Sequence, residues 1–231
     1  MRRTIAILTA AGLTMIPLAA HALDERVWIA LNGGGSTYGM SELNSELDAY
    51  NASYSGTFKH IEKGRSLGFA VGFETASHWN YGLGFDRLDA STSTTDPMGE
   101  VHYRLGANAW RAFGEYSFAP IGHTSLLIGG AFGVVQEHGK FVLITPGYPP
   151  EEFKTIGNGP LFEAHAGGNV WVTNQIALTA TAGYRYARVK ELKLEGGFPI
   201  VDQNGNPLPL DFSGPTARVG IKFAAKSVMT P

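Results

Sequence analysis

The chain has 231 residues, with 18 basic and 20 acidic side chains, 11% aromatic residues, 30 glycines and no cysteine. That near-neutral balance, with no basic stripe, is not the footprint of a nucleic-acid-binding protein, and without cysteine there is neither a disulfide framework nor a thiolate centre. Only 16% of the residues are charged, against roughly 25% in ordinary soluble domains.

Residues 1–22 read as a cleaved secretory signal. Met1-Arg2-Arg3 is a positive start, Thr4 to Leu18 is an apolar run, and Ala20-His21-Ala22 fits the small-x-small cleavage rule. The run is too short to cross a bilayer comfortably as a helix. Cleavage after Ala22 leaves residues 23–231 as one domain. Losing Arg2 and Arg3 takes the basic count from 18 to 16 against 20 acids, a mature net charge of −4. No later stretch is apolar for long enough to predict a transmembrane helix.

The remaining chain alternates with period two, the mark of strands whose neighbouring side chains face opposite ways. Arg26–Asn32 comes first. In the long connection Gly35–Arg65, Met40, Leu43, Leu47 and Tyr50 recur at helical spacing, which predicts a short amphipathic helix capped by Ser41 and lying over a barrel mouth. Ser66–Thr75 sets Leu67, Phe69, Val71 and Phe73 against Ser66, Gly68, Ala70, Gly72 and Glu74. After a tight turn at Ser77-His78, Trp79–Asp89 sets Trp79, Tyr81, Leu83 and Phe85 against Asn80, Gly82, Gly84 and Asp86.

The connection Ala90–Gly99 leads to Glu100–Phe118, where the apolar set changes parity around Ala109-Trp110 and predicts a bulge or bend. A turn at Ala119-Pro120-Ile121-Gly122 precedes Ser125–His138. In the connection Gly139–Pro160, Phe141–Thr145 reads as a strand running beyond the membrane, and Pro146-Gly147-Tyr148-Pro149-Pro150 as a rigid turn. Leu161–Val172 and Ile176–Tyr186 follow, joined at Thr173-Asn174. The last connection, Glu191–Pro215, carries a hairpin signal around Asn204-Gly205, and Thr216–Phe223 ends the series.

Eight such segments, with short turns alternating with long loops, predict an all-β fold, an eight-stranded antiparallel up-and-down transmembrane barrel. A soluble barrel would bury the Leu, Val and Phe face instead. The charges on the small-residue face decide between them, since they cannot lie unpaired in a dry core but can pair within a polar lumen. The expected lumen network is Arg26, Glu74, Asp86, Arg104, Arg111, Glu115, Glu163, His165, Arg185, Arg218 and Lys222, with His102 beside them. Eight strands leave room only for side chains, so the network fills the interior and no open pore is expected. Trp79, Tyr81, Tyr116, Phe118, Tyr184 and Tyr186 form the expected aromatic girdle. Arg188 and Lys190 continue the lipid-facing row to where lipopolysaccharide phosphates would lie.

Carried by the export signal, the strand count, the aromatic positions and the last strand Thr216–Phe223, the mature chain resembles the small outer-membrane β-barrel superfamily that includes the OmpA transmembrane domain, OmpX and OmpW. Residues Ala224–Pro231 depart from its habit of ending on an aromatic strand residue. The resemblance implies an outer-membrane location, insertion by the barrel-assembly machinery, and contact with outer-membrane lipid and lipopolysaccharide. It implies no metal or cofactor. The role expected is structural or surface-interacting: envelope integrity, adhesion or ligand binding by the loops. One alternative is passive transfer of small hydrophobic molecules through the barrel wall, loosened at Pro215. Another is a lipid A-modifying enzyme; its His-x-Ser-Asn pattern is matched only by His123-Thr124-Ser125, beside a periplasmic turn. Glu163 and His165 share a face as a catalytic pair would, but packing is the expected role and no catalytic residue is assigned.

Overall fold

In the computed structural model the period-two segments become β1 (Arg26–Thr37), β2 (Lys63–Glu74), β3 (Trp79–Asp96), β4 (Gly99–Ile121), β5 (Thr124–Ile144), β6 (Glu151–Trp171), β7 (Ile176–Val189) and β10 (Gly214–Ala225). Two short strands, β8 (Lys193–Leu194) and β9 (Leu210–Asp211), and one helix, α1 (Ser41–Tyr54), lie in the loops. The structure describes residues 26–225 except 97, 98, 122 and 203; the export signal at residues 1–22 and the tail after Ala225 lie outside the described residues.

Each long strand pairs antiparallel with its neighbours, and β10 closes the ring against both β7 and β1. Closure leaves the eight-stranded wall without an edge in its lower part. The wall is inverted relative to a soluble protein. Outward Leu31, Leu67, Phe132 and Val219 are 58–72% exposed, whereas inward Asp86, Glu163, Arg185 and Lys222 are at most 5% exposed. Hydrocarbon must therefore surround the barrel, and the charges must pair within it. On β5 the apolar belt runs from Leu126 to Val134, which at ~3.4 Å per residue and the usual tilt spans ~20–25 Å. Among the described residues no helix is long and apolar enough to cross a membrane; strands do the crossing.

The belt stops at an outward polar row, Arg87–Asn108–Gln136–Asn158, aligned across β3 to β6. Strands β3 to β6 do not stop there. The expected connections 90–99 and 139–160 are largely strand, and continuous pairing carries β3 and β4 up to Asp96 and Gly99. A four-stranded sheet thus rises from one side of the barrel into the extracellular space.

The bulge expected at Ala109-Trp110 is absent: pairing with β3 and β5 passes through both residues in one register. Ala109 points inward, fully buried, and Trp110 points outward, 48% exposed. The parity change has another cause. Inward residues of β4 are polar or aromatic lower down and become Leu105, Tyr103 and Val101 above, because the interior itself turns apolar. The irregularity of this hairpin lies instead between Phe118 and Ile121.

That upper interior is a plug. Met40, Leu43, Leu192, Leu208, Leu210 and Phe212 from the loops pack on Leu88, Leu105, Val135, Leu161 and Val189 of the wall. Tyr38 meets Phe212 edge-on at 5.4 Å. Further up, Leu47 of α1 and Phe58 pack on Val101. The expected Ser41 cap is not formed: Met40 precedes the helix without a side-chain cap bond, and the Ser41 hydroxyl donates to Glu42 at 2.7 Å. Two asparagines instead tie α1 to the returning chain. Asn44 exchanges hydrogen bonds with the Ile61 backbone (2.8 and 3.3 Å), and Asn51 with that of Phe58 (2.8 and 3.0 Å). Arg188 of β7 donates to Glu42 at 2.8 Å.

Candidate functional site

Two constellations carry chemistry: the charges inside the barrel and the outer face of the raised sheet. Inside, Arg218 on β10 donates to both carboxylate oxygens of Glu163 on β6, at 2.6 and 2.5 Å. It also lies 3.4 Å from Asp86, which accepts from Arg111 Nε at 3.0 Å. His165 bridges two acids, with Nε2 2.9 Å from Glu115 and Nδ1 3.3 Å from Glu163. Lys222 donates to Asn80 Oδ1 at 3.3 Å and lies 4.0 Å from the Trp28 ring centroid. Arg185, fully buried, donates to Ser36 Oγ at 3.0 Å and to the Phe212 carbonyl at 3.4 Å.

Small inward residues make this crowding feasible. A Cβ on Gly129 would come within 2.7 Å of Glu115 Cγ, and one on Gly183 within 2.7 Å of His165 Cβ. Bulk at either place would first meet a backbone oxygen of the neighbouring strand, that of Gly114 or Ala164, so the wall itself would have to shift.

Of the residues assigned to the lumen by sequence, Asp86, Arg111, Glu115, Glu163, His165 and Arg218 are brought into one contiguous chain. Lys222 and Arg185 lie inside without a carboxylate within ion-pair distance among the described residues. Arg26 and Glu74 are at the periplasmic end, where Arg26 lies over the Trp171 ring at 5.5 Å. Arg104 is a correction. It is exposed and faces outward, as does His102, because the inward parity of β4 belongs to Tyr103 and Leu105. Sequence reasoning also missed Glu137, although it shares the parity of inward Ser125 and Ala131. Its carboxylate accepts from Thr155 Oγ1 at 2.8 Å, just above the belt and under the plug. Burial there pushes its pKa up to about 7.

Trp79, Tyr81 and Phe118 stand outward at the end of the short turns, with Tyr116 against Trp79 at 5.3 Å. Tyr184 and Tyr186 stand outward towards the other rim. Below the network, a vestibule of about 390 Å³ is lined by Arg26, Glu74, His78, Ser117, His123 and Trp171 among others. His123 and Ser125, the weak match to a deacylase pattern, lie there at the short-turn end. Among the described residues, no group of three or more histidines or acids is placed to hold a metal ion.

On the outer face of the raised sheet, Arg104 pairs in register with Ser91 and Lys140, and Lys140 with Lys154. Three cations therefore stand side by side across β4, β5 and β6. Lys140 has Glu152 at 2.7 Å and Lys154 has Glu195 at 3.5 Å; Arg104 has no ion-pair partner among the described residues.

The inverted wall, the closed ring and the charged interior define an eight-stranded transmembrane β-barrel. No protein-family model and no curated protein matches the sequence. Among solved structures the chain is similar to Ail, the attachment invasion locus protein of Yersinia pestis, in complex with the heparin analogue sucrose octasulfate. Identity is 12%, coverage 88% of this chain and 100% of that one, and the TM-score 0.49. It is also similar to Neisserial surface protein A (11% identity, 87% and 96% covered, TM-score 0.45) and to the outer membrane protease OmpT from Escherichia coli (9%, 87% and 96%, 0.42). Likeness at these identities concerns the fold and not the activity.

Proposed function

We propose that this protein is a surface-interaction barrel that works through its raised extracellular sheet and not by conduction or catalysis. The cation row Arg104–Lys140–Lys154 carries the reading. Like charges directly opposite one another destabilise a sheet unless a counter-charge meets them; Glu152 and Glu195 meet Lys140 and Lys154, and Arg104 is left for an anion from outside the chain. Arg104 is six residues beyond Trp110 on β4, so the row stands ~15 Å above the last apolar ring at the usual rise and tilt. That is the zone of lipopolysaccharide phosphates, and neighbouring strands ~4.8 Å apart give a row ~10 Å long. The partner proposed is therefore lipopolysaccharide of the same leaflet, bound by charge-assisted contacts to phosphate.

Other uses of the barrel have less support. The ionic chain around Glu163 and His165 is taken up in mutual pairing, and the plug fills the upper interior. Pairing of β7 with β10 continues through Pro215 opposite Tyr184, which favours a closed wall over a lateral opening.

The test is a triple variant, Arg104→Ser, Lys140→Ser and Lys154→Ser, with folding checked by the gel-mobility shift between unboiled and boiled samples. Folded variant is expected to release co-purifying lipopolysaccharide at a lower salt concentration than wild type. Equal retention at every salt concentration would overturn the proposal.

A further inference from the structure

Among the described residues the lumen holds two cations without an acid: Arg185 under the plug, which donates to Ser36 and the Phe212 carbonyl, and Lys222. Arg111, Arg218 and His165 are matched by Asp86, Glu163 and Glu115 at 2.5–3.0 Å. Lys222, 4% exposed, has only an amide oxygen and an aromatic face. A buried cation of this kind is costly without a counter-charge.

Lys222 lines a cavity of about 60 Å³ in the middle of the barrel, together with Trp28, Arg218, His165 and Glu115. Four further polar atoms of lining residues are buried without a hydrogen-bond partner: the donors Trp28 Nε1 and Arg218 Nε, His165 Nδ1, and the acceptor Asn32 Oδ1. Buried donors normally have partners, and an orphan costs ~1–3 kcal/mol. The one carboxylate in the lining, Glu115, is engaged by His165. A cavity needs only ~10–15 Å³ to admit one water-sized guest, so there is ample room for a small ion.

We propose that this cavity binds a small inorganic anion of halide size, held by the Lys222 ammonium and the Trp28 and Arg218 N–H groups. The guest must accept hydrogen bonds, which the orphan donors require, and must carry negative charge, which Lys222 requires. Water meets the first condition and not the second. Chloride is the abundant ion that meets both.

Crystals of the mature barrel grown in sodium bromide test the site without any variant. An anomalous peak in the cavity beside Lys222 is expected; a cavity with no anomalous peak would overturn the proposal. In detergent solution at fixed ionic strength, the midpoint of the heat-induced gel shift is expected to rise by several degrees in chloride or bromide over gluconate, which is too large to enter. Lys222→Met is expected to lose that difference. Wild-type midpoints that are the same in all three salts would overturn it as well.

Discussion

Arg218 and Glu163 meet across the barrel interior from strands that are not neighbours: β10 and β6 are separated in the wall by β7. Their two-point contact is therefore a strut and not a ladder pair. It ties the strand that closes the ring to the near edge of the tall sheet, one strand away.

Breaking that strut from one end leaves buried Arg218 with only Asp86, 3.4 Å away and already engaged by Arg111. Glu163→Gln is expected to cost ~3–5 kcal/mol, the usual penalty for removing one partner of a buried pair. The double replacement Glu163→Met with Arg218→Met should cost less than the single one, since neither charge then remains unmatched. Denaturant unfolding in lipid vesicles measures both, and a double variant less stable than the single one would count against the strut.

Glu137 gives a pH dependence of definite sign. Its pKa is about 7 when folded, raised by burial from an ordinary value of 4.5. The folded state thus holds the proton more firmly than the unfolded chain does. Stability is greatest below the unfolded value, falls as pH rises from about 4.5 to about 7, and then levels off. The slope from this group reaches at most ~1.4 kcal/mol per pH unit. Glu137→Gln is expected to flatten that part of the profile, read as unfolding midpoints from pH 5 to pH 8.

The plug predicts a separable effect. Leu105 is fully buried between the wall and the loops, and Leu105→Ala is expected to cost ~2–5 kcal/mol. Because Met40 and Leu43 of the first loop share its cluster, limited proteolysis from outside should cut between residues 38 and 62 sooner than in wild type. Unchanged cleavage would mean that α1 is held by its asparagine ties and Arg188 alone.

Export makes a simple prediction. Protein isolated from the outer membrane should begin at Leu23, as read by N-terminal sequencing, with Met1–Ala22 removed.

The barrel was legible because a lipid-facing wall has only one pattern to follow. From Ser66 to Glu74 and from Ile176 to Tyr186, every second residue faces hydrocarbon, and the opposite parity holds Glu74 and the fully buried Arg185. The rule failed on β4, where Arg104 was assigned to the lumen. Parity tracks the wall only while inside and outside differ in chemistry, and above the belt both surfaces change: water replaces lipid outside, and the apolar plug replaces ions within. Tyr103 and Leu105 then look lipid-facing although they are buried, and Arg104 looks internal although it is exposed. Glu137 is a different case: the parity of Ser125 and Ala131 already places it inward, and only its burial beneath the plug needs the folded loops to be seen.

The vestibule lies below the network and the apolar plug above it. The vestibule and the central cavity share Asn169 in their linings, so Lys222 lies next to the vestibule of the short-turn end. A protein displayed at the cell surface thus keeps its innermost charges on the periplasmic side of its plug.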